Sequence, residues 1–85
     1  VEIDPRFAQA WYNRGFFLRE RGLNDEAVNA FDNAIRLGMQ TADVLQEKAE
    51  ALEELGEDEQ AEEVAARAEE LRQEHEQELL EQRDQ

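Results

Sequence analysis

Apolar residues recur every three or four positions along most of the chain, with polar residues between them. That spacing is typical of one face of an α-helix, and no segment shows the strict alternation of a half-buried strand. The pattern therefore predicts an all-α chain of four helices joined by short turns. Their expected limits are about Ala8–Arg21, about Asn24–Leu37, from after Thr41 to Gly56, and from Asp58 onward.

Residues with known preferences for helix ends support these limits. Pro5 fits the first turn of a helix but not its interior, and Asn24 and Thr41 are the expected N-caps of the second and third helices. Leu23 and Val28 have the spacing of a hydrophobic staple across the start of the second helix. Glycines favour the left-handed backbone at helix exits and mark the expected ends of the first three helices. They are Gly22, Gly38 and Gly56.

Each predicted helix has an apolar stripe that should face the core. The expected members are Phe7, Trp11 and Leu18 in the first helix, Leu45, Ala49, Leu52 and Leu55 in the third, and Ala61, Val64, Ala65, Ala68 and Leu71 in the fourth. After Leu71 only Leu79 and Leu80 are apolar, so the last turns of the fourth helix are expected to be solvated and to fray.

The chain also repeats itself with a period of 34 residues. The matching pairs are Leu18 and Leu52, Gly22 and Gly56, Ala27 and Ala61, Ala34 and Ala68, and Leu37 and Leu71. Glycines in step mark the turn inside each helical pair, and alanines in step mark close packing between two helices. Five matches in register predict a repeated helix-turn-helix unit.

This unit resembles the tetratricopeptide repeat family. The first repeat carries the family's motif as Trp11, Arg14-Gly15, Leu18, Ala27, Phe31 and Ala34, and the second as Leu45, Lys48-Ala49, Leu52, Ala61, Ala65 and Ala68. The resemblance places Gly15 at the tightest contact between paired helices. It implies an α-α superhelix of antiparallel helix-turn-helix repeats with a C-terminal capping helix. The implied divisions are 1–7, the end of a preceding repeat closed by Pro5; 8–41, the first repeat; 42–71, the second; and 72–85, a polar helical extension.

Several positions depart from the family's motif. Arg14 and Lys48 stand where the family usually has Leu, and Met39 replaces the closing Pro of the first repeat. A second closing Pro is missing near Gln73, and no third repeat follows it. The resemblance is therefore closer in the first repeat than in the second. A polar terminal helix is also what keeps a repeat array soluble.

Charge divides the chain into two unlike halves. The 85 residues, 9.9 kDa in mass, carry 23 acidic and 9 basic side chains, a net charge of −14. Residues 1–41 hold six acids and five bases, whereas residues 42–85 hold seventeen acids and four bases. All six aromatic residues lie before Thr41, so a contact surface is expected there. Because phosphate backbones and anionic lipids bind clustered Lys and Arg, neither nucleic acid nor a membrane surface is an expected partner.

The composition also disfavours catalysis. Cysteine and serine are absent, Thr41 is the single threonine, and His75 is the single histidine, in a charged stretch typical of a surface. A nucleophile-base pair has almost no candidate residues. The glutamates of the fourth helix lack the converging oxygens that a hard cation requires. We therefore expect no enzyme activity, no cofactor and no metal site. No segment is apolar enough for a membrane span, and the chain, which starts at Val1, is expected to be part of a longer protein.

Family resemblance implies that the first helix of each repeat lines a concave groove for a peptide or helix. The corresponding residues are Gln9, Tyr12, Asn13, Phe16 and Arg19, then Gln46, Glu47, Glu50 and Glu53. One subset of the family clamps acidic C-termini with Lys, Arg and Asn on this face. Here only Asn13 fits, and the glutamates would repel a carboxylate, so a neutral or basic protein partner is predicted. Alternatively, Tyr12 and Phe16 pack against a missing upstream repeat.

Two further alternatives remain open. The chain is a monomer on the first interpretation, but it is also predicted as a self-association element that forms a homodimer through its repeat face or C-terminal helix. Val64, Ala68, Leu71, His75 and Leu79 have the spacing of a helix-pairing seam. The acidity of the second half is alternatively an adaptation to high salt, in which a negative surface suppresses association.

Overall fold

The computed structural model describes residues 5–83 and confirms the all-α prediction. Its four helices are α1 (Pro5–Glu20), α2 (Asn24–Arg36), α3 (Ala42–Glu54) and α4 (Asp58–Arg83). Helix α1 begins at Pro5, three residues before the predicted start, which agrees with the preference of proline for a first helical turn. Most of the predicted end of a preceding repeat, residues 1–4, lies outside the described range.

All three turns have the same backbone geometry. At the first, Leu23 N–H donates to the Leu18 carbonyl at 2.9 Å and Gly22 N–H donates to the Arg19 carbonyl at 3.0 Å. These two bonds define a Schellman motif, which needs a left-handed residue, and Gly22 has a φ of 79°. The same bonds recur around Gly38 and Gly56, whose φ values are 105° and 79°. The predicted helix ends at glycine are therefore confirmed.

The helix starts follow two different patterns. Thr41 is the N-cap of α3, as predicted. Its Oγ1 accepts a hydrogen bond from Val44 N–H at 3.3 Å. The prediction for Asn24 is wrong, because the N-cap of α2 is Leu23 and no side chain caps this helix. The Leu23 carbonyl already accepts the bond from Ala27 N–H, so a turn of three residues leaves no room for a separate capping residue. This shift also removes the predicted staple, since Leu23 is the cap itself rather than the residue before it.

The core lies between α1, α2 and α3 and is centred on one aromatic ring. Phe31 is fully buried, and a Cβ added to Gly15 would lie 2.5 Å from its Cε1 atom. Only glycine leaves room for the ring at that point, so α1 and α2 approach closely. The buried apolar side chains are Ala8, Leu18, Ala27, Ala30, Phe31, Ala34, Val44, Leu45, Ala49, Ala51, Leu52, Ala61 and Ala68.

Phe7 and Trp11 do not face this core, contrary to the prediction. Phe7 is 62% exposed and Trp11 is 37% exposed. Helix α1 packs on α2 and touches α3, and within residues 5–83 no other element covers its remaining sides. The apolar stripe of α1 is thus wider than the surface its neighbours can bury, and its aromatic edge stays in solvent.

Consecutive helices pack side by side in chain order, and among the described residues α4 contacts only α3. Helix α4 has 26 residues, twice the length of α2, and spans about 39 Å at the rise of an α-helix. All described residues from Arg72 onward are exposed. The predicted solvation of these last turns is confirmed, but the helix continues unbroken to Arg83.

Candidate partner-binding surface

Helices α1 and α3, the first helix of each repeat, present the residues predicted to line a groove. From α1, Tyr12 and Arg19 are half-buried, whereas Phe16 is 43% exposed. From α3, Glu47 and Glu50 are half-buried and Glu53 is exposed. The structure therefore places these side chains at two different depths, half-buried and exposed.

Arg19 connects the two helices through two ion pairs. Its Nη1 lies 2.6 Å from Glu47 Oε2, and its Nη2 lies 2.8 Å from Glu50 Oε2. One guanidinium fork thus holds two carboxylates of α3, a geometry that suits arginine better than lysine. These ion pairs partly neutralise the glutamates that α3 presents on this surface. With Arg19 counted, the four charged groove residues carry three negative charges and one positive charge, a net of −2.

Tyr12 lies beside this ion-paired cluster and also belongs to the core. Its ring centre is 5.9 Å from that of Phe31, with the two planes tilted by 46°. Burial raises the pKa of the Tyr12 phenol above its ordinary value of 10.0, and the charges of Glu47 and Asp43 raise it further. The hydroxyl therefore stays protonated at neutral pH and remains able to donate a hydrogen bond.

Phe16 borders an open cleft of about 420 Å³ at the end of α1. The other residues lining the cleft are Arg19, Glu20, Gly22, Asn24 and Glu54. Two polar atoms of these residues, Arg19 Nε and Asn24 Oδ1, are buried without a hydrogen-bond partner in the described structure. One is a donor and the other an acceptor, and both are covered by neighbouring protein atoms rather than open to the cleft.

The remaining predicted groove residues bond within their own helices. Gln9 Nε2 donates to Asn13 Oδ1 at 3.0 Å, and Gln46 Nε2 donates to Glu50 Oε1 at 3.4 Å. Both pairs are four residues apart, a spacing at which side chains meet on a helix surface. The structure gives no contact between these amides and the cleft beside Phe16. The nine predicted residues thus separate into an ion-paired cluster with Tyr12, a cleft at Phe16, and a polar margin.

Sequence reasoning missed two features of this surface. Asn24 and Glu54 line the cleft, although Asn24 was predicted as a cap and Glu54 was assigned no role. Lys48 Nζ also pairs with Asp32 Oδ1 at 2.7 Å, which joins α2 to α3. The presence of Lys48 where the family usually has Leu was the available signal for this ion pair. A single sequence does not show that Asp32, on another helix, is the partner of Lys48.

The motif residues of the two repeats occupy three kinds of position. Buried ones are Gly15, Leu18, Ala27, Phe31, Ala34, Leu45, Ala49, Leu52, Ala61 and Ala68; turn glycines are Gly22 and Gly56; and Trp11 is exposed. The predicted helix-pairing seam on α4 is interrupted, because Ala68 is completely buried within the chain. His75 is exposed and lies near the start of α3, in a depression that it shares with Thr41 and Arg72.

Residues 5–83 contain no cluster of three or more side chains suited to holding a metal ion. None of the described helices combines the length and apolar character needed to cross a membrane.

The fold and the repeated turn geometry define a helix-turn-helix repeat protein. Family models described as tetratricopeptide repeat match the chain twice, over residues 1–29 and 42–75. The chain belongs to the tetratricopeptide repeat family. Comparison with curated proteins and with solved structures gave no match. Tetratricopeptide repeats generally mediate protein–protein interaction and are generally non-catalytic modules.

Proposed function

We propose that the chain binds a peptide or helical segment of a partner protein on the surface between α1 and α3, with Phe16 as the apolar anchor. The observation that carries this proposal is the exposed Phe16 ring beside an open cleft that is also lined by the charged residues Glu20 and Glu54. A protein segment matches this combination, because it supplies an apolar side chain for the ring and polar or basic groups for the two carboxylates. Aromatic anchors of this kind often dominate binding energy.

The charge of the surface favours a neutral or basic segment. Arg19 is already held by Glu47 and Glu50, so it is not available to bind a partner's carboxylate without breaking these pairs. Glu53 and Glu54 add further negative charge next to the cluster and the cleft. A basic side chain on the partner would meet attractive charge and associate faster.

The competing hypothesis is that Phe16 packs against another repeat unit. Its equivalent one period later is Glu50, which reaches back to Arg19 of the preceding unit. An added unit before α1 would therefore contact Phe16 at the corresponding place. A direct binding measurement distinguishes the two hypotheses, since only the proposed function requires affinity for an unrelated peptide.

The test is selection from a random peptide display library on the immobilised chain, followed by calorimetry with the selected peptides. We expect neutral or basic peptides, and we expect Phe16→Ala to weaken their binding at least about tenfold. Phe17→Ala is the matched control, since Phe17 is the adjacent residue, is also exposed, and is not among the residues that line the cleft. Tyr12→Phe tests the hydroxyl without emptying the core.

Equal losses for Phe16→Ala and Phe17→Ala would contradict the proposed anchor, as would selected peptides that bind both variants unchanged. A selection that yields only acidic peptides would contradict the predicted partner charge. Far-ultraviolet circular dichroism of each variant verifies that the helices remain intact.

A homodimer through the predicted seam of α4 has weaker support. The seam requires Ala68 at an interface between copies, but α3 already covers this residue. Leu79 and Leu80 remain exposed beyond it, among charged neighbours.

A further inference from the structure

One side of α1 is apolar, basic and uncovered. We define the outer face of α1 as Phe7, Ala10, Trp11, Arg14 and Phe17, all of them exposed. Four of these residues line a shallow hollow of about 350 Å³, and the fifth, Phe17, lies beneath the Arg21 guanidinium, 4.5 Å from its ring centre. A contiguous aromatic surface of this kind on a small chain indicates an interaction site.

The internal repeat identifies what kind of surface fits there. In the second repeat, α3 packs on α2 with Val44 and Ala51 buried and with Lys48 paired to Asp32. One period earlier, the equivalents of these three α3 residues are Ala10, Arg14 and Phe17. The outer face of α1 therefore presents the positions that α3 uses to dock on the preceding helical pair.

The other end of the molecule carries the matching surface. Val44 belongs to the same buried cluster as Ala30 and Phe31 of α2. Their equivalents on α4 are Val64 and Ala65, which are only half-buried because no helix packs over them. The first repeat thus has an unused docking side, and the second repeat has an unused receiving side.

Charge makes these two surfaces complementary. The outer face of α1, as defined, has Arg14 as its charged residue, whereas α4 contains ten acidic and three basic residues, a net of −7. The α4 equivalent of Asp32 is Ala66, an exposed residue. Four glutamates lie three or four positions from it, where they share its side of the helix: Glu62, Glu63, Glu69 and Glu70. Glu70 and Glu69 already pair with Arg67 and Arg72, at 2.9 and 3.7 Å, so Glu62 and Glu63 supply the carboxylates that Arg14 would meet.

We propose that the outer face of α1 docks on α4 of a second copy of this chain, in the same geometry by which α3 docks on α2. The contact is head-to-tail, so each copy retains one free docking side and one free receiving side. Such a heterologous interface produces open chains rather than a closed dimer. The outer face of α1 is distinct from the cleft at Phe16, although a second copy docked in this geometry would also approach Phe16. The inference concerns this docking and not peptide binding, so it goes beyond the proposed function.

The experiment is sedimentation analysis of the full chain from micromolar to millimolar concentration near physiological ionic strength. There the Debye length is about 8 Å, so the repulsion between distant charges of two acidic chains is largely screened. We expect dimers and longer assemblies that increase with concentration. Arg14→Glu on the docking side, or Ala66→Arg on the receiving side, should weaken association at least about tenfold.

Mixing the two variants gives the decisive result. In an equimolar mixture, every docking side meets a receiving side of complementary charge, so association should return to the wild-type level. Combining both substitutions in one chain should restore it as well. Arg83→Glu is the matched control, because it makes the same charge change as Arg14→Glu in the exposed last turn of α4 and should leave association unchanged.

A wild-type chain that stays monomeric at every concentration would overturn the proposal, and the outer face would then belong to a different occupant. A dimer that never extends, or variants that are not rescued by mixing, would also overturn it. Both substituted residues are exposed, so circular dichroism should show unchanged helix content in each variant.

Discussion

The two repeats reach the same backbone with differently filled cores. At the tightest approach, the first repeat combines Gly15 with the ring of Phe31, whereas the equivalent positions of the second hold Ala49 and Ala65. In the first repeat a glycine, which has no side chain, faces a large aromatic ring. In the second repeat the methyl groups of two alanines occupy the equivalent positions. The comparison teaches that the Schellman turns and the helical spacing define the repeat, while the volume between its helices is divided differently in each unit.

The repeats also differ in what covers them. The α3 positions that dock on α2 are buried or half-buried, whereas the same positions on α1 are exposed. Identical places in the repeat thus have opposite environments, because burial depends on the neighbouring unit and not on the unit itself. Four substitutions or truncations test this comparison, starting with the largest expected effect.

Phe31→Ala should remove most of the chain's stability. Emptying a fully buried ring costs about 3–5 kcal/mol, and the total stability of a domain this small is itself only about 4–13 kcal/mol. Phe17→Ala makes the same chemical change at an exposed position and should cost less than about 1 kcal/mol. Urea unfolding followed by circular dichroism measures both. Similar losses for the two variants would mean that the core is not centred on Phe31.

Gly15→Ala should destabilise the chain by about 1 kcal/mol, although alanine is the better helix former. The new Cβ would meet the Phe31 ring, and overpacking of about 1–3 kcal/mol exceeds the gain in helix propensity of about 1 kcal/mol. The reverse change in the second repeat, Ala49→Gly, should also destabilise the chain, because it removes a buried methyl group and lowers helix propensity. A double variant with Phe31→Leu should show coupling between the two sites. A stabilising Gly15→Ala would refute the close approach.

Arg19→Met should cost about 1 kcal/mol, because it leaves two carboxylates of α3 without their shared partner. Arg67→Met is the control within the second repeat. Arg67 pairs only with Glu70, at 2.9 Å on an exposed surface, and this substitution should change stability by less than about 0.5 kcal/mol. The difference between the variants should shrink as salt is added. No difference at low salt would show that the Arg19 cluster does not join the repeats energetically.

Truncation after Glu76 should have the smallest effect, below about 0.5 kcal/mol. The removed residues that the structure describes are exposed, so their loss uncovers little apolar surface. Thermal unfolding of the truncated chain beside the full chain provides the measurement. A markedly lower melting temperature would indicate that the end of α4 packs against another part of the molecule.

Local chemistry explains how much of this fold was predictable. The turn glycines and the Thr41 cap depend on residues within a few positions of one another, and both predictions matched the structure. The 34-residue period is visible because the same local signals occur twice in the chain. The prediction of Asn24 as an N-cap was wrong, because in the short turn Leu23 occupies the capping position. The predicted burial of Phe7 and Trp11 was wrong. An apolar stripe indicates which residues are hydrophobic, but it does not indicate whether a neighbouring helix is present to cover them.

Predictability of the candidate site was lower for the same reason. The family resemblance identified the helices that line the surface between α1 and α3, but it did not reveal the pairing of Arg19 with two glutamates or the place of Asn24 in the cleft. These contacts join residues about 28 positions or more apart, and a single sequence records no link between them.

The sequence by itself determined that this chain is a pair of helix-turn-helix repeats with an acidic second half. Helical period and turn chemistry follow from local preferences, and net charge follows from composition. These properties can therefore be predicted without knowing the tertiary contacts. Only the tertiary structure decided which aromatic rings are buried, which charges are neutralised, and which repeat surfaces remain open. Those properties depend on how helices distant in the chain approach one another, and packing between them, not propensity within them, sets that approach.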